Sequence, residues 1–208
     1  MSEVVTAPPE LLTLYHTGYS ASLNRSKAQR NLKMLLAELD DTTEPQRIYH
    51  YIAQCYNGLG DVENALKFAR LDIDSDSNKK IFSYRLLLSL YAQEKKYREE
   101  REEIAARAVK DFPKMPEFTA ELAECFATRG DFQQAIETMA SALDKFKNYS
   151  DAESTQFSES AAKFAERRME LWTKLAIAGQ YPSFSQTTSD RWILSEDTFL
   201  TEENNEKN

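Results

Sequence analysis

The sequence predicts an all-α fold in which pairs of antiparallel helices stack side by side. Three observations predict it: apolar residues recur at helical spacing through most of the chain, three segments align without gaps at a period of 35 residues, and 208 residues contain only 5 Gly and 6 Pro. So few glycines and prolines do not suit a sheet-rich or nucleotide-binding fold, which needs many tight turns. We expect a solenoid of about three helix pairs plus flanking helices over residues 21–180.

The first flanking helix is predicted over residues 25–39. The apolar residues of this segment form one broad stripe, and Pro45 follows where a second repeat helix would end; the stripe consists of Ala28, Leu32, Met34, Leu35, Leu36 and Leu39. We interpret this segment as an unpaired helix that packs on the first repeat. Residues 1–20 lack helical periodicity and are predicted to be irregular, with a short strand and a turn in the stretch LLTLYHTGY.

Three repeats follow, over residues 46–70, 81–107 and 116–143. Their gapless alignment puts small or apolar residues in one column and aromatic residues in another: Ala53, Leu88 and Ala123, then Tyr56, Tyr91 and Phe126. The small residues let two helices approach closely, and the aromatic residues fill the gap to the next helix. Cys55 and Cys125 share a third column with Leu90, which predicts buried packing thiols.

The turn inside each repeat has its own sequence signal. Gly60-Asp61 and Gly130-Asp131 supply a glycine for a left-handed helix end and an aspartate to cap the next helix. The second repeat is degenerate, with Lys95 in the glycine column. A period of 35 residues is close to the 34 of the tetratricopeptide repeat, so we identify the array with that class. An unrelated antiparallel helical bundle is the alternative.

The C-terminal part departs from the 35-residue register. Apolar residues between Phe157 and Ala176 share one helical face, which predicts a terminal capping helix. Residues 181–208 are predicted to be an acidic, partly disordered tail. Two apolar groups in the tail, Trp192–Leu194 and Phe199-Leu200, either dock back on the solenoid or form a short partner-binding segment.

Charge and composition limit the class and compartment. The 34 acidic and 26 basic residues give a net charge of -8, which disfavours binding to nucleic acid or to an anionic membrane. No window of about 18 apolar residues suits a membrane-spanning helix, and the N-terminus lacks the blocks of a secretory signal. With two cysteines and no disulfide framework, we expect a reduced, cytoplasmic protein.

No catalytic motif is present. The sequence lacks GxGxxG, Walker, HExxH and GxSxG patterns. His50 and Cys55 are five residues apart, which does not place them on a shared helical face, and Asp72-Ile-Asp74 is interpreted as a solvated acidic turn. We therefore expect a non-catalytic chain without a metal or cofactor.

The predicted binding surface is the concave wall formed by the first helix of each repeat. Repeat positions 2, 5, 9 and 12 point there, and eight polar residues at these positions are candidates: Arg47, His50, Gln54, Asn57, Arg85, Ser89, Glu117 and Glu124. The wall changes from polar-basic to acidic along the array. The expected partner is a protein or peptide, or a second copy of the chain.

One stretch is more specific than a generic repeat. The segments His16–Ser20, Lys27–Leu39, Tyr51–Gln54 and Gly58–Asp61 occur in this order. They resemble the junction in bacterial family-2 glycosyltransferases that carry C-terminal tetratricopeptide repeats. The resemblance covers about residues 10–145.

That resemblance implies that this chain is the non-catalytic repeat region of such an enzyme. The family's nucleotide-binding domain is about as long as this whole chain, which leaves no room for it here. His16 matches a family histidine that serves as a candidate metal ligand, but the acidic ligands that would accompany it are absent. Two alternatives stay open: a stand-alone scaffold or adaptor unrelated to sugar transfer, and a chain that completes a glycosyltransferase site in trans.

Overall fold

A computed structural model describes residues 21–148 and 159–178, and within these ranges the chain is helical with no β-strand. This confirms the all-α class. The eight α-helices of the described part are α1 (Ala21–Asp41), α2 (Tyr49–Leu59), α3 (Val62–Asp74), α4 (Lys80–Tyr91), α5 (Arg98–Asp111), α6 (Pro116–Arg129), α7 (Phe132–Asn148) and α8 (Glu159–Ala178). The predicted strand in residues 1–20, His16, and the tail's apolar groups lie outside the described residues.

The predicted flanking helix is present as α1, which extends beyond the predicted 25–39 at both ends. Leu32, Leu35, Leu36 and Leu39 are partly buried against the main core, so α1 packs on the first helix pair as expected. The predicted capping helix is present as α8, which packs on α7.

The two glycine-aspartate turns form as predicted. Gly60 and Gly130 adopt left-handed φ values of 82° and 90°, which glycine reaches without a Cβ clash. The Asp61 carboxylate accepts a hydrogen bond from the backbone N–H three residues later at 3.1 Å, and Asp131 does the same at 3.2 Å. Each turn therefore satisfies backbone groups at the end of one helix and the start of the next.

The turn of the second pair is built differently. After α4 ends at Tyr91, the chain passes through three residues and a 3-10 turn, Lys95–Tyr97, before α5 begins. Because Lys95 carries a Cβ where the other repeats have glycine, the left-handed cap is unfavourable there. The degeneracy seen in the sequence therefore appears as a longer connection.

The even-numbered helices α2, α4, α6 and α8 lie side by side and point the same way. Polar contacts join the start of α2 to the first half of α4, the middle of α4 to the start of α6, and the middle of α6 to the middle of α8. The Lys145 ammonium on α7 donates to Thr119 near the start of α6, and Lys147 contacts Glu166 in the first half of α8. These contacts give α6 and α8 the same direction. The odd-numbered helices pack on their even-numbered neighbours along the chain.

Two hydrophobic clusters fill the space between the helices. The larger spans α2 to α6 and the smaller joins α6, α7 and α8 around Trp172. Ala53 and Ala123, which were predicted at close helix contacts, are fully buried, and so are Ala65 and Ala135. Cys55 and Cys125 are buried free thiols, as predicted. No described helix is both long and apolar enough to cross a membrane.

The solvated turn predicted at Asp72-Ile-Asp74 is wrong. Helix α3 continues through Asp74, and Asp72 is 0% exposed, with no hydrogen-bond partner for either carboxylate oxygen. Asp72 falls three and seven residues after Ala69 and Ala65, so helical periodicity places it on the buried face of α3. The alternating aspartates suggested a turn, but the helical periodicity of α3 determines that the Asp72 side chain is buried.

Candidate binding groove

Four of the eight predicted binding residues join neighbouring even-numbered helices. The His50 Nδ1 atom lies 3.2 Å from the Ser83 hydroxyl oxygen, and His50 is buried between α2 and α4. Burial lowers the pKa of His50, and the nearby Asp72 carboxylate only partly opposes that effect. His50 is therefore a neutral packing residue at physiological pH.

The other three of these residues take part in ion pairs that join α6 to α4 and α8. Arg85 donates to Glu117 at 2.8 Å, and Arg168 donates to both carboxylate oxygens of Glu124 at 2.7 and 3.1 Å. A further buried pair, Arg101–Glu121, joins α5 to α6. Helix α6 is thus bonded to α4, α5 and α8.

Burial dominates the electrostatics of these carboxylates. It raises the pKa of Glu117, and it raises the pKa of Glu124 to about 7, although the paired arginine in each case favours the charged form. Each of these side chains has a hydrogen-bond partner inside the chain. A ligand at His50, Arg85, Glu117 or Glu124 would have to displace those partners.

The remaining predicted residues are accessible to different degrees. Arg47, Gln54 and Asn57 are exposed, and Ser89 is half-buried. Arg47 forms an ion pair with Glu44 at 3.0 Å on the surface. Of the eight, Gln54 lines a groove between the first two described helices.

That groove lies between α1 and α2 and has a volume of about 450 Å³. Its lining is mostly apolar and consists of Ala28, Asn31, Met34, Leu35, Tyr51, Gln54 and Cys55. Two of these side chains are unusually exposed for their size, Met34 at 58% and Tyr51 at 43%. We call this feature the α1–α2 groove.

Small residues bring the two helices together at one end of the groove. Residues 51, 54, 55 and 58 share one face of α2, and this face is directed at α1. A Cβ added at Gly58 would lie 3.4 Å from the Cβ of Ala28. The helices are close there, while the larger Met34 and Tyr51 line the groove further along.

A basic edge borders the groove. Residues 25–33 of α1 contain four exposed basic side chains and no acidic one: Arg25, Lys27, Arg30 and Lys33. Lys27 and Arg30 lie four residues before Asn31 and Met34, so they flank the groove lining. On a chain with a net charge of -8, this half-helix is a local positive region.

Met34 and Tyr51 were missed by the sequence prediction. Met34 belongs to the apolar stripe of α1, which indicated a core position, and Tyr51 lies outside the repeat positions assigned to the concave wall. One sequence signal could have indicated the groove: α1 was predicted to be an unpaired helix. A helix without a preceding partner leaves part of the next helix, here α2, uncovered.

The side chains that line the α1–α2 groove are suited to binding. Among the described residues, no three His, Cys, Asp or Glu side chains converge in a way that could hold a metal ion. Burial raises the pKa of the Cys55 thiol, which disfavours the nucleophilic thiolate. The groove therefore offers apolar surface, two amide side chains and adjacent positive charge.

Comparison with known proteins gave no match: no family model fits the chain, and no curated protein or solved structure is significantly similar to it. The resemblance to glycosyltransferase repeat regions stays a prediction.

Proposed function

We propose that this chain is a non-catalytic interaction module of the tetratricopeptide type, and that its α1–α2 groove binds an apolar, acidic segment of a partner protein. The observation that carries the proposal is the groove itself, in which exposed Met34 and Tyr51 lie beside the basic edge of α1. The 35-residue period and the two glycine-aspartate turns support the repeat class.

The groove has the elements that helix-in-groove recognition uses. Apolar side chains of a ligand would cover Met34 and Tyr51, and its carboxylates would face Lys27 and Arg30. Helix α1 packs its leucines on the main core and α2 is held to α4 by a buried hydrogen bond, so the wall is already ordered before binding, which lowers the entropy lost on association. Charge complementarity adds selectivity for acidic over basic ligands.

A pair of matched peptides tests this proposal. The probe is a fluorescent 16-residue peptide with Leu at helical i, i+3, i+4 and i+7 spacing and Glu elsewhere, and the control peptide has Lys in place of Glu. We expect the full chain to bind the Glu peptide more tightly. Binding should weaken at 0.5 M salt, because charges near the surface are screened.

Three substitutions then locate the site. Met34→Ala and Tyr51→Ala should each reduce affinity about five- to tenfold, since each removes a contact worth about 1 kcal/mol. Leu71→Ala is the matched control, because Leu71 is 39% exposed on α3, away from the groove. Equal binding of both peptides, or an equal loss in Leu71→Ala, would contradict the proposal.

The resemblance of residues 10–145 supports a more specific proposal, that the module serves a family-2 glycosyltransferase. Gly58–Asp61, one of the resembling segments, forms the end of α2 and its turn. We expect the chain to bind no sugar nucleotide in calorimetry and to associate with a separate or adjoining catalytic domain. Micromolar sugar-nucleotide binding would instead favour participation in an active site, and the absence of any catalytic-domain partner would favour a scaffold unrelated to sugar transfer.

A further inference from the structure

The face of α2 that lines the α1–α2 groove lacks a neighbour that the other helices of its layer have. Among the described residues, α4 has α2 before it, α6 has α4, and α8 has α6. Nothing described occupies the corresponding position before α2. Tyr51 is left exposed there.

The chain's own residues 190–203 have the chemistry to fill this position. They contain the apolar groups Trp192–Leu194 and Phe199-Leu200, together with five acidic residues and one basic residue. The apolar groups suit the wall with Met34 and Tyr51, and the carboxylates suit the basic edge of α1. Residues 1–20, the other long segment outside the described part, contain only two acidic residues.

The direction of α8 places the start of the tail at the same edge of the helix layer as the C-terminal end of α2. Because α8 and α2 point the same way, the chain leaves α8 at the end of the layer where α2 reaches Gly58. Gly58 lies beside Ala28, within the basic half of α1. The tail therefore starts out on the same side of the molecule as the basic edge.

The tail is also long enough to reach the α1–α2 groove from the end of α8. Three helix spacings of 8–10 Å separate α8 from α2, or roughly 30 Å. The 13 residues from 179 to 191 span up to about 45 Å when extended. Trp192 can therefore reach the groove while α8 stays in place.

We infer that residues 190–203 bind the α1–α2 groove of the same chain as an internal ligand, which an external partner must displace. This inference rests on the groove assigned under the proposed function. It makes the module self-regulated, since the affinity for a partner depends on how strongly the tail competes.

Disulfide trapping in the full chain tests the inference. In a background carrying Cys55→Ala and Cys125→Ala, the pair M34C and F199C is oxidised gently, with unchanged circular dichroism as the folding check. The reference pair is I177C and F199C, because Ile177 is 82% exposed and close in sequence to the tail. An undocked tail would meet residue 177 more often than residue 34.

We expect the M34C–F199C disulfide to form at least tenfold faster than the reference, in monomers, at a rate independent of protein concentration. Adding K27E and R30E should slow it about tenfold, whereas K174E on α8 should not. A faster reference pair, disulfide-linked dimers, or faster trapping of L12C by M34C would each overturn the inference. A faster reference pair would indicate an undocked tail. Disulfide-linked dimers would indicate that the tail of a second copy occupies the groove, and faster trapping of L12C would indicate that the N-terminal segment occupies it.

A second measurement separates this inference from the proposed function. In the full chain, E196K with D197K should raise the affinity for the Glu peptide about tenfold, because the internal competitor is weakened. If trapping succeeds but no variant binds the peptide, the proposed function fails and the inference stands. If the peptide binds wild type and the E196K, D197K variant equally and trapping fails, the inference is overturned and the proposed function stands.

Discussion

Replacing Arg168 by Met should destabilise the chain in a strongly pH-dependent way. Arg168 donates to both carboxylate oxygens of Glu124, and both side chains are buried. Removing one partner of a buried ion pair leaves an uncompensated charge, which costs about 3–5 kcal/mol of unfolding free energy. We expect a loss of that size at pH 8.5.

The loss of unfolding free energy caused by Arg168→Met should be smaller at pH 5.5. Burial raises the pKa of Glu124 from 4.5 to about 7, so at pH 5.5 most of the carboxylate is already protonated in the wild type. The loss is then limited to hydrogen bonds from the guanidinium to an uncharged carboxyl group and to packing, about 1–2 kcal/mol.

The same shift gives the wild type a defined pH dependence. Because the folded-state pKa of Glu124 lies above its ordinary value, folding favours the protonated form. This contribution to stability is complete below about pH 4.5 and is lost as the pH rises through 7. The Glu124→Gln variant should lack this component of the pH profile.

Urea unfolding at pH 5.5 and 8.5 provides the assay, in a Trp192→Phe background that leaves Trp172 as the one tryptophan. Trp172 is fully buried on α8, one helical turn after Arg168, so its fluorescence reports the docking of α8, while circular dichroism reports the whole array. Arg129→Met is the matched control, because Arg129 forms a more exposed pair with Glu102 and should cost less than about 1 kcal/mol at either pH. Equal losses for Arg168→Met at the two pH values would refute the reasoning.

Two further predictions concern the backbone and the core. Gly58→Ala should raise the free energy of unfolding by up to about 1 kcal/mol, because Gly58 is helical and its added Cβ would make an ordinary contact. Gly60→Ala should lower the free energy of unfolding by about 1 kcal/mol, because φ is 82° at that position. The urea midpoints of the two variants should therefore shift in opposite directions, and shifts of the same sign would contradict the reasoning. Asp72→Ala should stabilise the chain by about 1 kcal/mol, because it removes a buried carboxylate that has no hydrogen-bond partner. It should also lower the pKa of His50 in an NMR titration, because the Asp72 charge raises that pKa. An unchanged pKa of His50 would show that the two groups do not interact.

Local signals predicted the helices and two of the three turns. The stripe of α1 and the caps at Gly60 and Gly130 depend on features local in the sequence, such as helical periodicity, a left-handed φ or an i, i+3 hydrogen bond. The second turn follows the same rule, because Lys95 occupies the glycine column there and the connection is longer.

The candidate site depended on contacts between residues far apart in the chain. His50, Glu117 and Glu124 occupy repeat positions expected to face a ligand, yet each has a partner 32 to 44 residues away. Which of two polar residues meets a partner and which meets water depends on the rotation and spacing of packed helices, and a sequence pattern does not specify these.

By itself, then, the amino-acid sequence determined an all-α chain with paired helices, their approximate bounds and the two capped turns, because helix periodicity and capping are short-range. Only the tertiary structure decided that Asp72 is buried, that four expected binding residues hold the even-numbered helices together, and that Met34 and Tyr51 line an open groove. Burial of a side chain depends on what the rest of the chain places against it, which is settled only when the helices pack.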